Sequence, residues 1–232
     1  MSRQINSFKT KEELIENFSK KIIENLNEGI RKRAKATLLV SGGSTPKPLF
    51  EKLSKSDIDW SCVKIGLVDE RWVDENHKDS NAKLVKDFLL VNKASKATFI
   101  PLYQKGVEAK EAQEKCSNLV KNEFFPCDVL ILGMGDDGHT ASLFPNKEEL
   151  KDALDLSNES YCVSMTPNDA PHTRMSLTLS AILKAQNLYL HIQGKNKIEV
   201  FKKATHEQDY TKSPITAVLK NDSKDIKVYY NE

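Results

Sequence analysis

Long apolar runs are missing from this sequence. No stretch approaches the roughly 18 apolar residues needed to cross a bilayer. The opening Met1-Ser2-Arg3-Gln4-Ile5-Asn6 lacks an apolar signal core, so neither a membrane span nor a secretion signal is expected. A surplus of one charge is missing too. In 232 residues, 35 Lys and Arg stand against 33 Asp and Glu, and a net charge of +2 argues against a broad nucleic-acid footprint. Nine Gly and eight Pro are too few for a collagen-like or low-complexity fibre. The four cysteines, Cys62, Cys116, Cys127 and Cys162, form no C-x-x-C pair. Zinc-ligand spacing among them is therefore absent, and they read as reduced, partly buried thiols of a cytoplasmic protein. Arginine is scarce as well: Arg3, Arg31, Arg33, Arg71 and Arg174 are the only five among 35 basic residues. Where lysine is the default cation, an isolated arginine points to use of its planar, bidentate fork. Arg31 and Arg33 lie near a helix end, where the helix dipole alone explains them.

What is present alternates. Residues 12–33 carry Leu14, Ile15, Phe18, Ile22, Ile23, Leu26 and Ile30 at three- and four-residue spacing, an amphipathic helix. Apolar runs at 36–40, 63–68, 98–102, 128–132, 161–165, 175–179, 187–193 and 226–230 read as strands, the last expected to close the sheet. Helices are expected at 80–91, 109–124 and 195–204. Strands alternating with helices predict an α/β fold, a mainly parallel sheet flanked by helices. No linker or repeat divides the chain, so one domain over 1–232 is expected. In such sheets ligands bind beyond the carboxyl ends of the strands, and three polar loops leave such ends here, after Val40, Val68 and Leu132.

The first loop is Ser41-Gly42-Gly43-Ser44-Thr45-Pro46. Its glycines let backbone approach a ligand, and the next helix aims its N–H groups at the same spot, with Thr45 as expected N-cap. This suits a phosphate; an ordinary tight strand-to-helix turn is the other reading. Walker A spacing is absent, which disfavours ATP chemistry. In the second loop, Asp69-Glu70-Arg71, two carboxylates and a rare arginine form either part of a site or a solvated cluster. The third loop, Gly133-Met134-Gly135-Asp136-Asp137-Gly138-His139, formally matches G-x-G-x-x-G, but two carboxylates there would repel a pyrophosphate. Asp137 and His139 instead suit a base oriented by a carboxylate, with a structural histidine at a helix start as the alternative. Arg174 enters an alternating segment, and Lys197 follows a strand at a helix start.

Together these segments resemble the glucosamine-6-phosphate isomerase/6-phosphogluconolactonase family. The most specific part is Leu132 to Pro145, whose Thr140-Ala141-Ser142-Leu143-Phe144-Pro145 ending is similar to the lactonase branch. Val40 to Phe50, Leu67 to Val73 with Ser80-Asn81, Arg174 to Leu179, and Gly194 with Lys197 follow in family order. Asn146, Asp74 and Ser176 depart from the usual pattern beside these motifs. The resemblance implies a Rossmann-like sheet like that of sugar-phosphate isomerases and deaminases. It also implies hydrolysis of 6-phospho-D-glucono-1,5-lactone without metal or cofactor. It places the phosphate on Ser41, Gly42, Gly43, Ser44 and Thr45 with Arg174 and Lys197, and makes His139 the base beside Asp137. Arg71, with Asp69 nearby, would line the site. The expected partner is a phosphorylated sugar lactone, with no nucleic acid or membrane, and the oligomeric state is left open between a monomer and a weak dimer. A deaminase or isomerase acting on glucosamine 6-phosphate, or a non-catalytic sugar-phosphate sensor, is the rival. A Cys nucleophile and a G-x-S-x-G serine both lack their motifs.

Overall fold

The computed structural model describes residues 4–168 and 170–232; Arg3 and the first residues of the opening segment lie outside them. The chain begins with β1 (Gln4–Phe8), α1 (Lys11–Arg33), β2 (Ala36–Val40), α2 (Lys47–Ser54), β3 (Val63–Leu67) and β4 (Asp69–Arg71). It continues through α3 (Asn81–Phe88), β5 (Thr98–Phe99), α4 (Ala109–Phe124), β6 (Val129–Leu132), α5 (Glu149–Leu154), β7 (Cys162–Met165) and β8 (Arg174–Leu177). α6 (Leu179–Leu183), β9 (Asn187–Gln193), α7 (Lys195–His206), α8 (Ile215–Leu219) and β10 (Ile226–Asn231) complete it.

Seven strands form one sheet in the order β1-β10-β9-β6-β2-β3-β5, with every neighbouring pair parallel. The sheet is flanked by helices, as the alternation predicts. β2 and β6 are buried along their whole length, as strands covered on both faces must be, which is why they read as unbroken apolar runs. Phe18 of α1 stacks on Tyr229 of β10 at 4.4 Å between ring centroids and meets Tyr189 of β9 edge-on at 5.2 Å. Phe124 of α4 fills the space over Gly66 of β3, where an added Cβ would lie 2.3 Å from the ring.

α1 has the caps its sequence calls for. Thr10 accepts the Glu13 N–H at 3.1 Å, and the last turn carries Arg31, Lys32 and Arg33. The dipole is not the whole account of Arg33, however. Its guanidinium pairs with the buried Asp128, whose other oxygen accepts the Thr37 N–H at 3.0 Å, locking α1 to the start of β2 and β6.

Three expectations are corrected. Asp69-Glu70-Arg71 is not a loop. It is β4, which pairs antiparallel with β8 and, through it, with β7 in a separate three-stranded sheet. β10 does not close the main sheet, because the half-exposed β1 pairs outside it. Thr45 is not the N-cap of α2: Pro46 holds that position with αR angles, and no side chain caps the helix. The other strands and helices expected from the sequence form, with ends shifted by a few residues and only the first two residues of 98–102 paired. α5, α6, α8 and β1 are additional elements.

Chain order reverses between the adjacent parallel strands β2 and β6: β2 leads outward to β3 and β5, β6 to β9 and β10. A crevice at the carboxyl ends is therefore expected there.

Candidate active site

A cavity of about 260 Å³ opens at this reversal point. Its walls are the first loop, Ser41 to Pro46, the third loop from Leu132 to Gly135 with His139, and Asp69 and Arg71 of β4. Asn81, His191 and Lys197 also line it.

Ser41 stitches the two central strands together. Its N–H and hydroxyl both donate to the Ile131 carbonyl at 3.1 Å, and its oxygen accepts the Gly133 N–H at 3.3 Å. Gly43 has φ +95, the left-handed region that glycine enters without strain. Gly42 lies so close to Asn81 that a Cβ would fall 1.8 Å from its Oδ1. No side chain caps α2, the Lys47 N–H makes only a long 3.4 Å bond to the Ser44 carbonyl, and the positive dipole end of the helix lies beside the cavity loop.

The third loop turns back on itself to aim His139. Gly138 has φ +80, the Gly138 N–H donates to the Gly135 carbonyl at 3.2 Å, and the Gly135 N–H to the His139 carbonyl at 2.8 Å. A Cβ on Gly135 would strike the imidazole at 2.1 Å, so this glycine is needed for the ring to lie where it does. Asp137 Oδ1 accepts both the His139 N–H at 3.0 Å and the ring Nδ1 at 2.6 Å. Partial burial pushes the Asp137 carboxyl up, but the His139 hydrogen bonds and charge outweigh it and hold it below the ordinary 3.8. A carboxylate on Nδ1 leaves Nε2 as the nitrogen free to exchange a proton. Asp137 itself stands behind the ring rather than in the cavity wall. His139 is in a loop and packs at 4.8 Å from the Phe144 ring, so the helix-start alternative does not hold.

The cations divide. Arg71 lines the cavity, and its Nη1 donates to the Asp79 carbonyl at 2.5 Å. Lys197, three residues into α7, lies 2.9 Å from Asp136 Oδ1, which also accepts from Asn196 at 2.7 Å. Arg174 is not in the cavity wall. It is 6% exposed, cross-strand from Arg71, with its Nη1 donating to the Pro171 and His172 carbonyls. Burial first, and the Arg71 charge second, lower its pKa.

Asp69, buried in the wall, accepts the Ser142 hydroxyl at 2.6 Å, so one carboxylate oxygen is already engaged. The solvated-cluster reading of this segment is wrong for Glu70, which is fully buried. Its carboxyl accepts the N–H groups of Arg71, Asn81 and Ala82, each at 2.7 Å, and the Ser80 hydroxyl at 3.1 Å. Burial pushes it up to about 7 against the pull of those four donors. Glu70 thereby ties β4 to the start of α3. Sequence reasoning passed over Glu70 as a functional support and Asn81 as a wall residue, although the Ser80-Asn81 pair after Asp69-Glu70-Arg71 was the available signal. Asn81 donates to the Asp69 carbonyl at 2.9 Å and packs on Gly42, joining the first and second segments.

Comparison with known proteins identifies the family to which this fold belongs. Residues 9–227 match the family described as glucosamine-6-phosphate isomerases/6-phosphogluconolactonase. A 6-phosphogluconolactonase of Rhizobium meliloti is 38% identical over 230 residues, 99% of each chain. One of Pseudomonas aeruginosa is 41% identical over 195 residues, 84% of this chain and 82% of its own. The crystal structure of a 6-phosphogluconolactonase from Shewanella baltica superposes with a TM-score of 0.95 at 40% identity, covering 100% of this chain and 98% of that one. A monomeric glucosamine-6-phosphate deaminase shares the fold, with a TM-score of 0.82 at 16% identity over 99% of this chain and 97% of its own. No helix among the described residues is long and apolar enough to cross a membrane.

Proposed function

The chain belongs to the glucosamine-6-phosphate isomerase/6-phosphogluconolactonase family, and from that premise we propose that its cavity opens 6-phospho-D-glucono-1,5-lactone to 6-phospho-D-gluconate by His139-activated water. This is the lactone-hydrolysing step of the oxidative pentose phosphate pathway. The observation that carries the mechanism is the Asp137–His139 pair at 2.6 Å, with His139 in one cavity wall and the uncapped start of α2 in another.

His139 Nε2 takes a proton from water, and the hydroxide formed attacks the lactone carbonyl carbon. Charge on the carbonyl oxygen is met by Arg71 or by loop N–H groups. The tetrahedral intermediate collapses as the carbon–ring oxygen bond breaks, and His139 returns its proton to that oxygen. One water is consumed and the base is regenerated. Asp137 keeps the ring in the tautomer that exposes Nε2 and stabilises it when charged.

The backbone of Gly42 and Gly43, the hydroxyls of Ser44 and Thr45, and Lys197 bind the phosphate, which fixes the lactone in register. Ser41 shapes this cradle through its bonds to β6. Lys197 reaches the phosphate by exchanging its Asp136 partner for it. Arg174 acts from behind: an anion beside Arg71 relieves the repulsion between the two guanidinium groups. Asp69 faces the sugar hydroxyls with its remaining acceptor capacity. The enzyme works on this reading as one unit over 1–232, a monomer or weak dimer in the cytoplasm, where its four free thiols stay reduced.

The test is lactone opening above the spontaneous rate, with and without EDTA, alongside ammonia release from glucosamine 6-phosphate. Turnover of the lactone insensitive to EDTA, with no ammonia, is expected. Ammonia release would reassign the chain to the deaminase chemistry, and tight 6-phosphogluconate binding without turnover would make it a sensor.

A further inference from the structure

We propose that His77, Asp79 and His172 form a binding site for a divalent transition-metal ion of the Zn²⁺ class, behind the two arginines and outside the hydrolytic chemistry. The sequence gives no warning of it. His77 and Asp79 lie in the segment between β4 and α3, while His172 lies 93 residues beyond Asp79, in the segment before β8.

The three side chains offer one ligand atom each, all within 4.8 Å of one another. His172 Nε2 lies 3.1 Å from Asp79 Oδ2, and His77 Nδ1 lies 3.8 Å from the same oxygen. Ligands at the usual zinc distances on a tetrahedron are separated by about 3.3 Å, which these two spacings bracket. The imidazole rings stand edge to face, with centroids 5.2 Å apart and planes at 78°, so they converge on the carboxylate rather than stack on each other. All three residues are half-buried, which leaves a further coordination position open to water.

The donor set decides the ion. Two imidazoles and one carboxylate favour Zn²⁺, Ni²⁺, Co²⁺ or Cu²⁺ over Mg²⁺ or Ca²⁺, which seek oxygen. Asp79 Oδ2, the atom that both imidazoles approach, supplies the anionic ligand. Lys78 beside it is exposed, and its charge is screened by solvent. His77 Nδ1 gives up only a 3.2 Å bond from the Asp79 N–H to reach the ion.

The position matters because of what the same residues do with their backbones. The Asp79 carbonyl accepts from Arg71, and the His172 carbonyl accepts from Arg174. An ion on the three side chains ties together the two segments that hold those arginines.

The test uses the full chain stripped of metal, titrated calorimetrically with ZnCl₂ and spectroscopically with CoCl₂. One equivalent should bind with a dissociation constant of about 10 μM or below, as expected for three protein ligands at neutral pH. Co²⁺ should give a visible ligand-field band, and millimolar Mg²⁺ should not compete. The His77→Ala/His172→Ala double variant, checked for native circular dichroism, should bind at least about 30-fold more weakly. If that variant does not fold, Asp79→Asn is the second variant and should lose the Co²⁺ band. No saturation below 1 mM ZnCl₂, or wild-type affinity in the variants, would overturn the site and leave an ion-pair cluster only. Neither readout involves the lactone, so failure here leaves the lactonase reading standing.

Discussion

At the scale of single residues, the site rests on a division of labour among acids that look equivalent in the sequence. Asp136 and Asp137 are neighbours, yet one meets Lys197 and the other His139. The pair Asp137–His139 was legible because a carboxylate two residues before a histidine can reach it within one turn. The Asp136–Lys197 contact was not, because 61 positions separate the partners and only the meeting of β6 and β9 brings them together. Arg174 shows the opposite failure. Its rarity and its motif single it out, but neither shows that it is buried beside Arg71 and outside the cavity wall. Asp137→Asn tests the tautomer argument. An amide can donate to Nδ1 and so favour the wrong form of the ring. Turnover should fall by about 10- to 1,000-fold with the KM for the lactone little changed. Steady-state kinetics with both parameters resolved checks this. The sign of any pH effect is also set. Asp137 is depressed in the folded state, so its stabilisation is present above pH 3.8 and lost as pH falls through the lowered value.

At the scale of elements, periodicity located the long helices and the buried parallel strands, with α4 and β9 matching their expected limits residue for residue. Short elements escaped. β4 has three residues, all charged, and its identity depends on β8 lying beside it. β1 is a half-exposed edge strand with little apolar signal. Glu70 makes β4 intelligible. A charged residue becomes a core residue because the N–H groups at the start of α3 and the Ser80 hydroxyl all point at it. Glu70→Gln replaces one acceptor oxygen by an NH₂ that must face N–H donors, and should lower stability by about 2–3 kcal/mol. Urea unfolding checks it. Activity should fall with stability, because the same change releases Asn81 from its place against Gly42.

At the scale of the molecule, the near-zero net charge makes sense for an enzyme that handles a small anion with a few placed cations rather than a basic surface. The whole-molecule pH response has a specific source in His191, which is 3% exposed, its Nδ1 having no hydrogen-bond partner among the described residues. Burial, with a smaller push from Lys11, draws it down to about 3 from its ordinary 6.5. Below pH 6.5 the unfolded chain therefore binds a proton that the folded chain refuses. Stability from this group should decline as pH falls from 6.5 towards 3, with a limiting slope of about 1.4 kcal/mol per pH unit. Glu70 acts with the opposite sign, losing stability as pH rises from 4.5 to about 7. His191→Phe keeps an aromatic ring against Phe18 and removes the titration, so the pH dependence of unfolding free energies across pH 4–6.5 should flatten on the acid side, whatever the offset from the larger ring. An unchanged slope would assign the acid sensitivity to other groups.

The measurement that bears most directly on the central claim is the rate of 6-phosphogluconolactone opening by His139→Ala, corrected for spontaneous hydrolysis, with 6-phosphogluconate affinity measured on the same protein. Loss of the base should lower kcat by about 10²- to 10⁴-fold while product affinity stays close to wild type, because the phosphate cradle is built from other residues. Turnover at the wild-type rate in that variant would contradict the account.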